Sequence, residues 1–172
     1  HRTAHQSQVT LSHFTAVLDL MALLNAQQRF MAVAMTLCNE LASRHKCDRV
    51  SLGWLEHEYI HLQAISHTER FEKKMDAVKA LEQTMEESLD QDEIIVWPPP
   101  EGDTRITVDH GRYADSQKIR FICSVPLRLA GEAVAVLTCE RNSEAFPEDE
   151  QRLLTLYAEM AARRLSELKR TD

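Results

Sequence analysis

The stretch Phe121–Arg141, FICSVPLRLAGEAVAVLTCER, constrains this chain more than any other. It reads as two strands, Ile122–Leu129 and Ala133–Arg141, joined by Ala130-Gly131-Glu132. Gly131 supplies the positive φ that a short turn often requires. The second strand carries apolar residues on both parities, with Ala133, Ala135 and Leu137 on one side and Val134 and Val136 on the other. A strand of that kind is covered on both faces and is expected at the centre of its sheet. The rest of the chain must therefore supply a layer for each face.

The two ends of the chain carry helical patterns. Phe14, Val17, Leu18, Met21 and Leu24 form a stripe over Leu11–Leu24, while residues 1–8 are polar and expected to fray. Phe30, Val33, Leu37 and Leu41 repeat the pattern over Gln28–His45, opposite Arg29, Thr36, Glu40 and Arg44. These are two helices, or one bent near Asn25. At the other end, Pro147 stands at a first helical position and Glu148, Asp149 and Glu150 crowd the first turn, where the helix dipole favours acids. Leu153, Leu156, Tyr157, Met160, Leu165 and Leu168 follow at helical spacing, and Lys169 and Arg170 close the segment with the favourable sign. The terminal helices are expected on one face of the sheet.

The middle of the chain supplies the remaining strands and the second layer. Arg49–His57 and Tyr59–His67 alternate and pair as a hairpin, because only Glu58 and its neighbours are left to turn. Residues 70–92 are helical, with Phe71, Met75, Val78, Leu81, Met85 and Leu89 on one side. Glu93–Trp97 is a short strand stopped by Pro98-Pro99-Pro100. Glu101–Ser116 is polar, contains Gly102 and Gly111, and is expected to be the longest irregular stretch, with Asp115 or Ser116 capping a short turn. The expectation is an α/β chain of the α+β type, with about five strands and the middle helix plus long loop on the second face.

At 172 residues the chain is the size of one domain. A net charge of −7 argues against nucleic acid, whose partners usually carry a basic stripe. No apolar run is read as long enough to span a membrane, and no signal-peptide pattern opens the chain. The chain begins at His1 and is expected to be a piece of a longer protein. The four cysteines, Cys38, Cys47, Cys123 and Cys139, include no Cys-x-x-Cys pair. They read as buried free thiols in a reducing compartment, and hence as a cytoplasmic protein. His57, His61 and His67 with Glu56 or Glu58 could ligate zinc. Their charged neighbours favour solvated imidazoles, so no metal site is expected. His110 lies in the polar stretch with no evident partner, and Asp109-His110 has no nucleophile beside it in sequence.

The order and wording of several pieces resemble the GAF domain, a sensory module related in fold to PAS. The pieces are CDRVSLGWL, HLQAISH, SVPLRLAGEAVAVLTCER and FPEDEQRLLTLYAEMAARRL, over roughly residues 28–168. The step Val125-Pro126-Leu127, a Gly turn, a strand and an acidic-start helix carry most of the likeness. DRVSLGWL, AISHTERFEKK and VWPPP also resemble GAF regions of bacterial membrane-fusion adaptor proteins of secretion systems. The resemblance implies an antiparallel sheet with a pocket beneath the middle helix and long loop. It also implies small effectors, such as cyclic nucleotides, tetrapyrroles, haem or amino acids, and dimers built on the terminal helices. Residues 1–27 would then be a dimerisation or signalling helix and 28–172 the domain proper.

This sequence departs from the specialised branches of that family. Phe71-Glu72-Lys73-Lys74 is only an echo of the Asn-Lys-x-Phe-Asp-Glu signature of cyclic-nucleotide binders. No Cys-His pair suits a covalent bilin. The methionine sulfoxide reductase branch uses loop cysteines, whereas Cys123 and Cys139 fall in strands, Cys38 in a helix, and only Cys47 near a loop. No catalytic set is expected, and the sequence names no cofactor. The residues expected to line a pocket are Ser51 and Gly53 for their small size, Trp97 for stacking, and Phe121 and Cys123 from the central hairpin. The expected function is a dimeric sensory domain that binds a small effector and signals through its terminal helices. The alternative is a dimerisation or interaction module whose pocket is filled by its own side chains.

Overall fold

The computed structural model describes residues 2–67 and 75–171. The elements run α1 (Arg2–Asn25), α2 (Phe30–Arg44), β1 (Arg49–Glu56), β2 (Tyr59–Ile65), α3 (Met75–Gln91), β3 (Ile95–Trp97), α4 (Val108–Gln117), β4 (Phe121–Leu129), β5 (Glu132–Arg141) and α5 (Glu148–Thr171). The strands form one five-stranded sheet in the order β2-β1-β5-β4-β3, with every neighbouring pair antiparallel. β5 is the middle strand, as its two-sided apolar pattern requires. The tetrapeptide Phe71-Glu72-Lys73-Lys74 and the beginning of the predicted middle helix lie outside the described residues.

Register sorts the sheet residues onto two faces. Val50, Leu52 and Trp54 of β1, Ala135, Leu137 and Cys139 of β5, and Cys123, Val125 and Leu127 of β4 share one face. They are buried in one core with Phe30, Val33, Leu37 and Leu41 of α2 and Leu154, Tyr157, Ala161 and Leu165 of α5. Each fully buried large aliphatic side chain there contributes roughly 1.5–3 kcal/mol. Arg141, at the end of β5, pins the start of α5 to this layer. Its guanidinium makes a bidentate pair with Glu150 at 2.8 and 2.6 Å and donates to the carbonyls of His45, Glu144 and Ala145.

The opposite face carries Arg49, Ser51 and Gly53 of β1, Val136, Thr138 and Glu140 of β5, Ile122 and Ser124 of β4, and Ile95 and Trp97 of β3. α3 and α4 cover it. Leu81 and Met85 of α3 and Tyr113 and Ala114 of α4 pack there on Ile60, Ile122 and Val136.

Two elements differ from the sequence expectation. The polar stretch expected to be irregular through Ser116 instead folds into α4 over Val108–Gln117, ended by Lys118 in the left-handed conformation. Its burial is carried by His110, Tyr113 and Ala114, not by an aliphatic stripe. α1 also begins at Arg2, well before the expected start at Leu11. Leu20 and Leu24 near its end are fully buried, while Leu11 is 66% exposed and Phe14 61%. Ala4–Asn25 is also long and apolar enough, by length and composition, to cross a membrane. Neutral polar residues interrupt the run, so it does not stand out as a continuous apolar stretch in the sequence. Asp19 is its only charge at neutral pH with histidines uncharged.

Candidate functional site

The polar chemistry of the molecule is concentrated beneath α3 and α4, and a carboxylate builds it. Glu87, on the side of α3 facing the sheet, accepts hydrogen bonds from the backbone amides of Asp109 at 2.8 Å and His110 at 3.0 Å. Amides in the first turn of a helix have no partner within the helix, so Glu87 serves as an N-terminal cap for α4. A negative charge there also meets the positive end of the helix dipole. Burial alone would raise this carboxyl. The hydrogen bonds from the His110 ring and the two amides more than offset it and hold Glu87 below the ordinary range.

His110 is fully buried. Its Nδ1 lies 2.7 Å from Glu87 Oε1 and its Nε2 lies 2.8 Å from Ser124 Oγ. Ser124 Oγ is in turn 2.9 Å from Thr138 Oγ1, its cross-strand partner. With the ring proton on Nδ1 facing the carboxylate, Ser124 donates to Nε2 and accepts from Thr138. The chain thus runs unbroken from the centre of the sheet to the N-terminus of α4. It shares its order of groups with nucleophile–base–acid relays. Here, however, Ser124 is fully buried and its oxygen is engaged on both sides, so the relay fixes α4 and presents no nucleophile.

A second cluster begins one helical turn along α4. Tyr113 Oη donates to Glu140 Oε1 at 3.0 Å and accepts from Arg49 Nη1 at 3.1 Å. Arg49 also stands 3.6 Å from Glu140 Oε1. Glu140 is fully buried, and burial raises its carboxyl to about 7, against the opposing pull of Arg49 and the Tyr113 hydrogen bond. Burial and the neighbouring Glu140 charge push the Tyr113 hydroxyl up as well. Glu140 Oε2 and Ser51 Oγ are both buried without a hydrogen-bond partner. Arg49 is opposite Glu140 and Ser51 is opposite Thr138, so Ser51 and Glu140 are diagonal neighbours on this face.

Three of the five expected pocket residues lie on this face. Ser51 contributes the unpartnered hydroxyl. Gly53 lies under α3, where a Cβ would stand 2.5 Å from both the Ile60 methyl and the Met85 sulfur. The room left by that glycine is thus taken by the chain's own side chains. Trp97 lies against α4, where a Cβ on Gly111 would come within 2.7 Å of its ring. Phe121 and Cys123 do not join them. They occupy the alternate parity of β4 and belong to the core under α2 and α5. FICSVPL is apolar on both parities, so alternation could not assign its faces.

Sequence reasoning did not find Glu87, Ser124, Thr138 or Glu140, nor His110 and Tyr113 as a pair on one helix. His110 meets partners 23 and 14 residues away, which no local spacing reveals. The regular i to i+3 placement of His110 and Tyr113 was a usable signal, had the segment been read as helical. His57, His61 and His67 are exposed. Among the described residues, no group of three or more His, Cys, Asp or Glu is arranged to hold a metal ion.

The fold recurs widely among solved structures. The GAF domain of an Acinetobacter phosphoenolpyruvate-protein phosphotransferase is 12% identical, with a TM-score of 0.71 over 93% of this chain and 96% of that one. The corresponding domain from Coxiella burnetii is 15% identical, with a TM-score of 0.70 over 94% and 96%. A free methionine-R-sulfoxide reductase from Neisseria meningitidis, solved with its substrate, is 13% identical, with a TM-score of 0.68 over 96% and 94%. At such identities these likenesses establish the fold alone. No curated protein matches. The GAF domain profile matches residues 31–165, from the start of α2 to the last third of α5. The chain is therefore a member of the GAF domain family.

Proposed function

We propose that this GAF domain is a non-enzymatic sensory module that takes a small effector on the face beneath α3 and α4. The observation that carries the reading is the pair of buried, unpartnered polar atoms, Ser51 Oγ and Glu140 Oε2. Buried polar groups in folded proteins almost always have partners, and leaving one without a partner costs about 1–3 kcal/mol. A guest bearing hydrogen-bond donors would satisfy both. Trp97 borders the same region through α4 and offers a planar apolar wall. Binding that favours one seating of α4 over another would bias the packing of the terminal helices by the difference in affinity between the two states.

The test is a thermal-shift screen with amino acids, cyclic nucleotides and tetrapyrroles as probes. A hit should lose its upshift in Ser51→Ala and Trp97→Ala, with both variants folded. An upshift that survives both substitutions would place the effector elsewhere.

A second reading, a dimerisation module, is favoured by α1. Leu11, Phe14 and Leu18 lie exposed at helical spacing. Phe14 and Val17 line a groove of about 990 Å³ with Arg152 and Leu156 of α5. An apolar stripe of this kind must be buried somewhere. A symmetric dimer through α1 and α5 buries it, and gives residues 1–27 the role of a coupling helix. The two readings are compatible. Phe14→Glu with Leu18→Glu should shift the molar mass by light scattering from dimer to monomer and leave ligand upshift intact. We place the domain in the cytoplasm on its four free cysteines.

A further inference from the structure

The helical-side core contains a cluster of thiols that the proposed effector site does not use. Cys123 of β4 and Cys139 of β5 are direct cross-strand partners, and both are fully buried. Cys47, in the connection between α2 and β1, packs against the same core but is only half-buried. The Cys47 sulfur donates to the His45 carbonyl at 3.8 Å, and the amide of Asp48, the next residue, donates to the Glu140 carbonyl at 2.8 Å, which seats Cys47 alongside the Cys139–Glu140 step of β5. Arg141 Nη1 donates to the same His45 carbonyl at 2.8 Å, so its guanidinium stands beside the Cys47 sulfur. One thiol is therefore reachable from solvent, stands near a fixed guanidinium, and packs on the core that holds a second, buried thiol. Partial exposure, positive surroundings and an adjacent resolving thiol characterise redox-responsive cysteines.

We propose that Cys47 and Cys139 form a peroxide-responsive pair that closes a disulfide between the α2–β1 connection and the central strand. The Cys47 thiolate attacks one oxygen of hydrogen peroxide, the O–O bond breaks, and the departing hydroxide takes a proton to leave as water. The product is a sulfenic acid at Cys47. The Cys139 sulfur then attacks that of Cys47, the S–S bond forms, the S–O bond breaks, and the oxygen leaves as water with the Cys139 proton. Two thiols lose two electrons in total, and one peroxide is reduced to two waters.

The buried thiols are poor starting points. The neighbouring Cys47 and burial push the Cys139 thiol up, and burial does the same at Cys38 and Cys123. The order of events therefore begins at Cys47. Cys38 points elsewhere, donating to the Ala64 carbonyl at 4.0 Å. The bond would tie the chain two residues before β1 to β5, beside the Arg141 anchor of α5. The site lies on the opposite face from the proposed effector site and does not depend on it.

The experiment treats the full chain with a small excess of hydrogen peroxide, blocks remaining thiols after denaturation, and maps peptides by mass spectrometry. The expected product has lost two hydrogens, contains a Cys47–Cys139 crosslink, and returns to the starting mass with dithiothreitol. Cys47→Ser should abolish the crosslink, and Cys38→Ala and Cys123→Ala should leave it in place. Cys47 is only half-buried, so its substitution tests the idea even if Cys139→Ala fails to fold. Over-oxidation of Cys47 to sulfinic acid with Cys139 still free would overturn the proposal. So would four unmodified thiols, or a crosslink that persists in Cys47→Ser.

Discussion

Arg141 and Glu150 form a two-pronged ion pair in which the guanidinium is fully buried and the carboxylate partly so. His45 Nδ1 meets the same carboxylate at 2.7 Å, so the end of α2, the end of β5 and the start of α5 converge on one group. Burial alone would raise Glu150. The hydrogen bonds from His45 and Arg141 outweigh it and hold the carboxyl at about 2.

Removing one partner strands the other. Arg141→Met or Glu150→Gln should each destabilise the fold by about 3–5 kcal/mol in urea titrations. Replacing both with apolar residues should recover little, because Arg141 also satisfies three carbonyls. The acid dependence follows from the lowered Glu150. Its stabilisation is complete above the unfolded value of about 4.5 and is lost as pH falls toward about 2. The Glu150→Gln variant should lack that acid-side loss.

Glu140 has the opposite sign. Its folded value of about 7 exceeds the unfolded value of 4.5, so its contribution is fully present below 4.5 and is lost as pH rises through 7. The difference is on the order of 3 kcal/mol. Thermal melts of the parent should weaken between pH 5 and pH 8 from this group, and Glu140→Gln should flatten that slope. An unchanged slope in the variant would show that another group governs this range.

His110→Ala should loosen α4 selectively. It leaves Ser124 with one partner fewer and removes the ring from Glu87, at about 1–3 kcal/mol for each group left without a partner. Hydrogen exchange should accelerate across residues 108–117 and remain slow in α2 and α5. Uniform acceleration in all three helices would mean that the relay supports the whole fold, not α4 in particular.

Gly111→Ala sets two effects against each other. Alanine inside a helix gains about 1 kcal/mol over glycine. The added Cβ would stand 2.7 Å from the Trp97 ring, and overpacking costs about 1–3 kcal/mol. The net expectation is a destabilised protein with shifted Trp97 fluorescence. Adding Trp97→Leu should remove the clash and let the helix-propensity gain appear.

Much of this fold was written locally. Val134, Val136, Ala135 and Leu137 placed β5 at the centre of the sheet, because only a strand covered on both faces carries that pattern. Pro147 and the acids after it announced α5. α4 was hidden for a physical reason. VDHGRYADSQ has no aliphatic stripe, its N-terminal cap comes from Glu87 on another helix, and its buried residues are His110, Tyr113 and Ala114. The site suffered from the same distance in sequence. Ser51, Gly53 and Trp97 were reachable from their size or shape, whereas Glu87, His110, Ser124 and Glu140 acquire meaning only when strands and helices far apart in sequence meet. Phe121 and Cys123, expected beside the pocket, lie on the other face, because a strand with apolar residues on both parities leaves its faces open.

Glu140 and Arg141 are consecutive, yet they serve opposite sides of the sheet. One holds Tyr113 of α4 and the other holds Glu150 of α5. A pleated layer ordinarily insulates what lies above it from what lies below. At this step the two sides are one peptide unit apart, and each side chain is hydrogen-bonded to the helix on its own side. The seat of α4 and the anchor of α5 are therefore attached to the strand at a single shared amide bond.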